Sequence, residues 1–348
     1  MKKLAVADIT TLTYNGVIYG HFLKLANQYL EIFQQDFDVK IYGGITYKNF
    51  IEGSRYKKLP FVIKREEVKG GIIKKSFMKF KEVINALKVL SSDADVIIFQ
   101  CYSEMPVYLA LLIKNIRRKK VFMIQYQKGL RSKYSQAVYR KVAKKISGII
   151  TSSKEVANFY GLDNVIIPDY LPVNIKFNKV QYEYDGIILG TTSDWKDYED
   201  VISSFRNCEF KVKIAGKFFD ENRLRRLKSS STPNIEIEDR YLTDNEYDDY
   251  LSKSKYVILP YRKEYEEKSS GIVLDAIYRK KPVIVPNLKS FNFVKECQLG
   301  LVYNESISEV VPMLSDDLYN SLQKNIESFI IEKNKEKQVL IDFIKEKI

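Results

Sequence analysis

Histidine is all but missing from this sequence of 348 residues, which has only His21, and cysteine occurs three times, at Cys101, Cys208 and Cys297. The cysteines stand far apart. They show neither the paired spacing of a metal site nor a disulfide framework, which suits a reducing compartment. No apolar run approaches the roughly 20 residues that cross a bilayer. The opening Met1-Lys-Lys-Leu-Ala-Val-Ala-Asp-Ile9 is interrupted by Asp8, too early for the apolar core of a signal peptide, so an intracellular, cytoplasmic protein is expected. No helix-turn-helix, zinc or RNA-binding signature is present, which argues against nucleic acid as the partner. Acidic residues are the scarcer charged class, 44 against 57 lysines and arginines, for a net charge of +13. That excess implies an anionic partner, with nucleic acid, anionic lipid and nucleotide-sugar as the candidates on charge alone, or else a lysine-rich background.

Apolar residues make up 45% of the chain and charged residues 29%, the balance of a folded protein with a sizeable core. The length allows two domains. Short apolar runs alternate with helical patterns from the start. Lys3–Ile9, Asp38–Gly43, Asp95–Gln100, Val121–Tyr126 and Gly148–Ser152 read as strands, with helices such as His21–Phe33 and Lys133–Ser147 between them. Thr10–Gly20 reads as a loop. The rhythm breaks at Leu171–Tyr184, which carries Pro172 and reads as a linker, and a second series starts at Gly186-Ile-Ile-Leu-Gly190. A lysine- and glutamate-rich helix, about Leu318–Lys347, closes the chain. Asp93-Ala-Asp95 spells an acidic pair found at some metal sites. It precedes a buried strand, the wrong end for ligands in an open α/β sheet, and reads as a turn.

From Lys57 to Lys81, lysines and one arginine interleave with Phe61, Ile72, Ile73, Phe77, Met78 and Phe80. Two readings stand open. The segment is either a basic, partly apolar contact for an anionic membrane surface or a solvated loop and helix whose apolar side faces the core.

The densest stretch for chemistry is Tyr256–Asn287. Tyr256-Val-Ile-Leu-Pro260 and Pro282-Val-Ile-Val-Pro286 read as parallel strands joined by a loop and a helix of about Ser270–Tyr278. The loop brings Ser269, Ser270 and Gly271 to the helix N-terminus, where free N–H groups suit a phosphate. Glu267 and Asp275 would repel phosphate, and hydroxyls of a sugar or ribose are their natural partners. The loop and helix together therefore suit a ligand with both phosphate and polyol parts.

Glu267-x7-Asp275, with Pro282-Val-Ile-Val following, resembles the E-x7-E signature of retaining GT-B glycosyltransferases, especially family 4. Asn15-Gly-Val-Ile-Tyr-Gly-His-Phe-Leu-Lys-Leu-Ala26 resembles that family's glycine-rich first loop and helix, with Val17 where a second glycine is common. Gly190-Thr-Thr-Ser-Asp-Trp-Lys196 keeps the family's lysine at Lys196, and Thr191 stands where an arginine is expected. The resemblance implies an α/β chain of two Rossmann-like, doubly wound domains facing across a cleft. The first (1–172) would lie on the acceptor side, the second (173–330) would bind the donor, and a last helix (331–348) would return to the first. It implies catalytic roles for Glu267, His21 and Lys196. Donor contacts would come from Gly16, Lys196, Ser269, Ser270, Gly271 and Asp275, with Lys217 or Arg262 replacing the missing arginine charge. No metal and no cofactor are implied. The co-substrate would be a nucleotide-sugar, expected to be a UDP-sugar, and the acceptor a glycan on a lipid carrier in surface polysaccharide synthesis. Two other classes fit less well. A sugar-nucleotide 2-epimerase of the same fold needs more acidic and histidine groups for proton transfer. A basic protein that only binds anionic lipid or nucleic acid would show no transfer.

Overall fold

The computed structural model describes the chain apart from residues 15–16, 19–21, 69, 130–131, 169, 173–180, 191–193 and 267–269. It divides into two units, one of residues 1–171 with 334–348, the other of residues 172–333.

The first unit is built on a parallel sheet in the order β10-β9-β8-β7-β1-β4-β5. Its strands are β1 (Lys2–Asp8), β4 (Phe37–Gly43), β5 (Tyr56–Lys58), β7 (Val96–Cys101), β8 (Lys120–Ile124), β9 (Gly148–Thr151) and β10 (Asn164–Ile166). Apolar runs without polar alternation form the middle strands because both faces are covered. Ala5 and Ala7 of β1, with Ile97 and Phe99 of β7, pack against helices α3 (Ile72–Leu90), α4 (Glu104–Ile113) and α5 (Lys133–Val142). Leu4, Val6, Val96 and Ile98 point the other way, onto α1 (Phe22–Phe33) and onto Leu340, Ile341 and Ile344. Those three belong to the last helix, α12 (Asp316–Lys345). The expected loop after β1 contains structure: β2 (Leu12–Tyr14) pairs antiparallel with β3 (Val17–Ile18) and parallel with β6 (Ile63–Lys64). Segments this short carry no readable period. Short α2 (Arg65–Val68) precedes α3, and α6 (Lys154–Tyr160) follows β9. In the Asp93–Asp95 turn, Asp95 Oδ2 accepts the Lys3 N–H at 2.9 Å and Asp93 pairs with the Lys3 ammonium at 2.6 Å.

The second unit has a parallel sheet in the order β13-β12-β11-β14-β15-β16. The strands are β11 (Tyr184–Leu189), β12 (Val212–Ala215), β13 (Ile235–Glu238), β14 (Ser254–Ile258), β15 (Val283–Pro286) and β16 (Gly300–Tyr303). They alternate with α7 (Tyr198–Phe205), α8 (Glu221–Ser230), α9 (Asp244–Ser252), α10 (Gly271–Tyr278) and α11 (Asn292–Glu296). Ile188, Ile214, Ile258 and Ile284 meet Tyr198, Val201 and Phe205 of α7, and Tyr319 and Leu322 of α12 join that core. Order reverses at β11, between β12 and β14. A crevice at such a switch point, at the carboxyl ends of the strands, is where an open α/β sheet binds its ligand.

Candidate active site

Two tight turns shape the carboxyl end of β11. Gly190 has a φ of 94°, in the left-handed region that glycine enters without cost. Gly216, after β12, has no room for a side chain, since a Cβ there would lie 1.9 Å from the Gly190 carbonyl oxygen. The two turns are therefore stacked backbone on backbone. A Cβ built on Gly190 would point at Ile272 of α10, 3.5 Å away, and at the Lys196 ammonium, 4.0 Å away. So Lys196 and the first turn of α10 meet at one spot beyond the end of β11.

The segment carrying Lys196 is fixed by backbone pairing with the segment after β14. Arg262 N–H donates to the Trp195 carbonyl at 2.7 Å and Asp197 N–H to the Pro260 carbonyl at 2.6 Å. Lys196 is buried, 3% exposed. Its Nζ donates to the Leu189 carbonyl at 3.0 Å and lies 5.9 Å from the centre of the Tyr261 ring. Burial pulls its pKa down to about 8, because a buried ammonium loses its hydration.

Tyr261 is the wall beneath. It stacks on Tyr265, with ring centres 3.8 Å apart, and on Phe291 at 5.9 Å. Trp195 leans on Tyr265 at 6.2 Å. The Tyr261 hydroxyl meets Ser270 Oγ at 3.3 Å. Ser270 is the N-cap of α10 in extended geometry, and its side chain makes no cap hydrogen bond. The first N–H groups of α10 are thus not closed off by that side chain, the state in which a helix start can receive an anion.

The remaining expected residues are placed less simply. Arg262 pairs with Asp197 at 3.2 Å and Glu199 at 3.6 Å. Lys217 pairs with Asp239 at 3.0 Å. Both side chains stay partly exposed. Asp275 is buried. Arg279, one helical turn on, holds its Oδ1 at 3.1 Å, and the Tyr247 hydroxyl donates to its Oδ2 at 3.4 Å. Arg279 also reaches Asp248 at 2.6 Å, so Asp275 belongs to a network that ties α9 to α10. Gly16, His21, Glu267 and Ser269, and Thr191 with them, lie outside the described residues. A cavity of about 480 Å³ opens beside this constellation, at the carboxyl ends of β14, β15 and β16. Tyr261 and Arg262 line it with Asp197, Glu266, Asn287 and Asn304, a set of hydroxyl-binding groups more than of phosphate-binding ones.

Sequence reasoning missed the aromatic stack, the Gly190–Gly216 contact and Arg279. Only Arg279 left a signal, since Asp275 and Arg279 are four apart in a helix.

No family model and no curated protein matches the sequence. Solved structures match along its whole length. Sucrose-phosphate synthase from Thermosynechococcus elongatus superposes with a TM-score of 0.64 at 13% identity, covering 98% of this chain and 100% of that one. Trehalose-6-phosphate synthase OtsA gives 0.66 at 7%, covering 99% of each chain. The chain has the GT-B fold. A third GT-B neighbour, Anabaena Alr3699/HepE in complex with UDP and glucose, gives 0.59 at 12%, with 99% and 100% covered. At such identities the likeness shows the GT-B fold.

Proposed function

We propose that this GT-B protein is a glycosyltransferase. It moves a sugar from a UDP-sugar to a glycan or lipid-linked acceptor in surface polysaccharide synthesis. The observation that carries the reading is the meeting of a buried ammonium, Lys196, with the uncapped start of α10 at Gly190. A diphosphate seated there would return to Lys196 the stabilisation that burial removes, and would face the N–H groups of Gly271 and Ile272. When the bond from the sugar's anomeric carbon to the diphosphate oxygen breaks, charge gathers on that oxygen. Donors already in place hold it at little reorganisation cost. Ser269 and Ser270 would add hydroxyl donors. Lys217 and Arg262, tied to carboxylates, would bring their charge to the outer phosphate. Glu267 would face the transferred sugar with His21 beside it, Gly16 would approach the diphosphate, and Asp275 would reach the ribose hydroxyls from its network. Transfer with retention, and without a metal, follows the resemblance of Glu267-x7-Asp275 to the retaining enzymes. A neighbour that holds UDP and glucose supports the choice of donor.

Incubation with labelled nucleotide-sugars tests this directly. Release or transfer of the sugar is expected, and Glu267→Gln should lower turnover about a hundredfold or more while leaving the melting temperature unchanged, as for loss of one preorganised charge. Inversion at C2 of the sugar would instead point to an epimerase. A fully active Glu267→Gln protein would remove that residue from the site.

A further inference from the structure

We propose that the outward face of the first three turns of α3 docks the protein on an anionic bilayer. The inference deepens the lipid-linked acceptor in the reading above, but its evidence comes from α3 alone. Ile72 and Ile73 are each 85% exposed, and Phe77 and Phe80 are each 56% exposed. Four large apolar side chains so close together on a surface need a reason, because scattered ones are ordinary and clustered ones are not. The core does not supply it. At roughly 100° per residue, Ile73, Phe77 and Phe80 fall within an arc of about 60°. The buried positions Met78, Glu82, Asn85, Ala86 and Val89 lie on the opposite side. The helix thus carries two apolar faces, one spent on the sheet and one turned out. Phe77 and Phe80 stack, with ring centres 6.5 Å apart, so the outward face is a continuous ridge.

Charge selects the occupant. Lys74 and Lys75 are exposed and border the four apolar positions, Lys74 about 60° beyond Phe77 and Lys75 about 60° beyond Ile72 at roughly 100° per residue, as lysines do on helices that lie in a membrane interface with their apolar face down. Exposed Lys64 stands just before, in β6. Lys79 and Lys81 hold the ridge in place: Lys79 reaches inward to Ser103 and Glu82, and Lys81 pairs with Glu67 at 2.5 Å with its ammonium 5.0 Å from the Phe77 ring centre. Glu67 is therefore compensated and Glu82 is buried, which leaves the face cationic. The Lys79–Ser103 contact also fixes where the ridge lies. Ser103 follows β7, so the first turns of α3 stand at the carboxyl ends of the first unit's strands. That is the ligand end of such a sheet. A bilayer touched there would present a lipid-linked acceptor to this unit. Among the described residues no helix is long and apolar enough to cross a membrane, so the contact is superficial.

The test is co-sedimentation of the full chain with phosphatidylcholine vesicles, with and without phosphatidylglycerol, at low and high salt. Wild-type protein should bind the anionic vesicles and bind neutral ones weakly. Ile73→Ser/Phe77→Ser/Phe80→Ser should lose at least tenfold in binding at either salt. Lys74→Gln/Lys75→Gln should lose about fivefold per lysine at low salt and little at high salt. Thermal shift by UDP is followed on the same proteins. A variant that leaves the vesicles and still responds to UDP is folded, and its loss is specific. Wild-type protein that ignores UDP would sink the donor reading and leave this one standing. Wild-type protein that stays in the supernatant, or a triple variant that binds like wild type, would overturn the proposal. So would a lipid-free dimer dispersed by the triple substitution, because a second copy would then be what covers the ridge.

Discussion

Lys196 is a cation that its surroundings have made reluctant. With a pKa near 8, about nine-tenths of it is charged at pH 7 and about one-tenth at pH 9. The terminal phosphate of a diphosphate, with a second pKa of about 6, is already mostly ionised at pH 7 and gains little charge by pH 9. Its affinity should therefore fall about tenfold between pH 7 and pH 9 in calorimetry with UDP, and Lys196→Arg, whose guanidinium stays charged, should flatten the profile. Stability moves the other way. The folded pKa lies below the unfolded value of 10.5, so between pH 8 and 10.5 the unfolded chain holds the extra proton, and the Lys196 contribution to stability rises with pH across that window. Loss of affinity without loss of fold would identify the ammonium as the binding group. A flat wild-type profile would remove it from the site. Resemblance to the GT-B enzymes was what singled out Lys196 in the sequence. Its depth was not legible there, because the groups that surround it, the Leu189 carbonyl, Ile272 and the Tyr261 ring, come from separate segments of the chain.

Elements differed in how much of themselves the sequence shows. Val96–Cys101, Val283–Pro286 and the other central strands were plain, since a strand covered on both faces is an unbroken apolar run. The α10 crossover was plain too, bounded by a serine pair before and Pro282 after. Segment 57–81 allowed two readings because α3 is apolar on opposite sides, and periodicity alone cannot say which side meets the sheet. The small β2-β3-β6 sheet escaped notice, being made of two- and three-residue pieces. Of the candidate site, the start of α10 with Ser270 was visible. The stacked turns were not, because contact between Gly190 and Gly216 exists only once β11 and β12 lie side by side. That contact gives a prediction at this scale. Gly216→Ala must push the two turns apart, at a cost of about 1–3 kcal/mol. Thermal melting should show the loss, and UDP binding should weaken with it because Gly190 sits against Lys196 and α10. Unchanged UDP affinity in a destabilised protein would show that the turns serve the fold alone.

At the scale of the molecule, the chain leaves its first unit at residue 171 and comes back to it at residue 334. Leu340, Ile341 and Ile344 are then buried in that unit, with exposures of 0%, 6% and 0%. Three such side chains are worth about 5–9 kcal/mol, against a net stability of about 5–15 kcal/mol for a typical protein. A chain cut after residue 333 should keep its second unit and lose its first. Limited proteolysis with mass mapping should find 172–333 persisting and 1–171 degraded. Survival of both would mean that the sheet of the first unit holds without α12.

The same detour sets a clock during synthesis. Between residue 171 and residue 334 the ribosome needs on the order of ten seconds or more. Throughout that interval the first unit, though made earlier, still lacks its closing piece. Phe122, whose ring finally rests 5.7 Å from that of Phe343, waits uncovered with its apolar neighbours. What is translated first is therefore sealed last, and a newborn chain offers a chaperone this one surface to hold until α12 arrives.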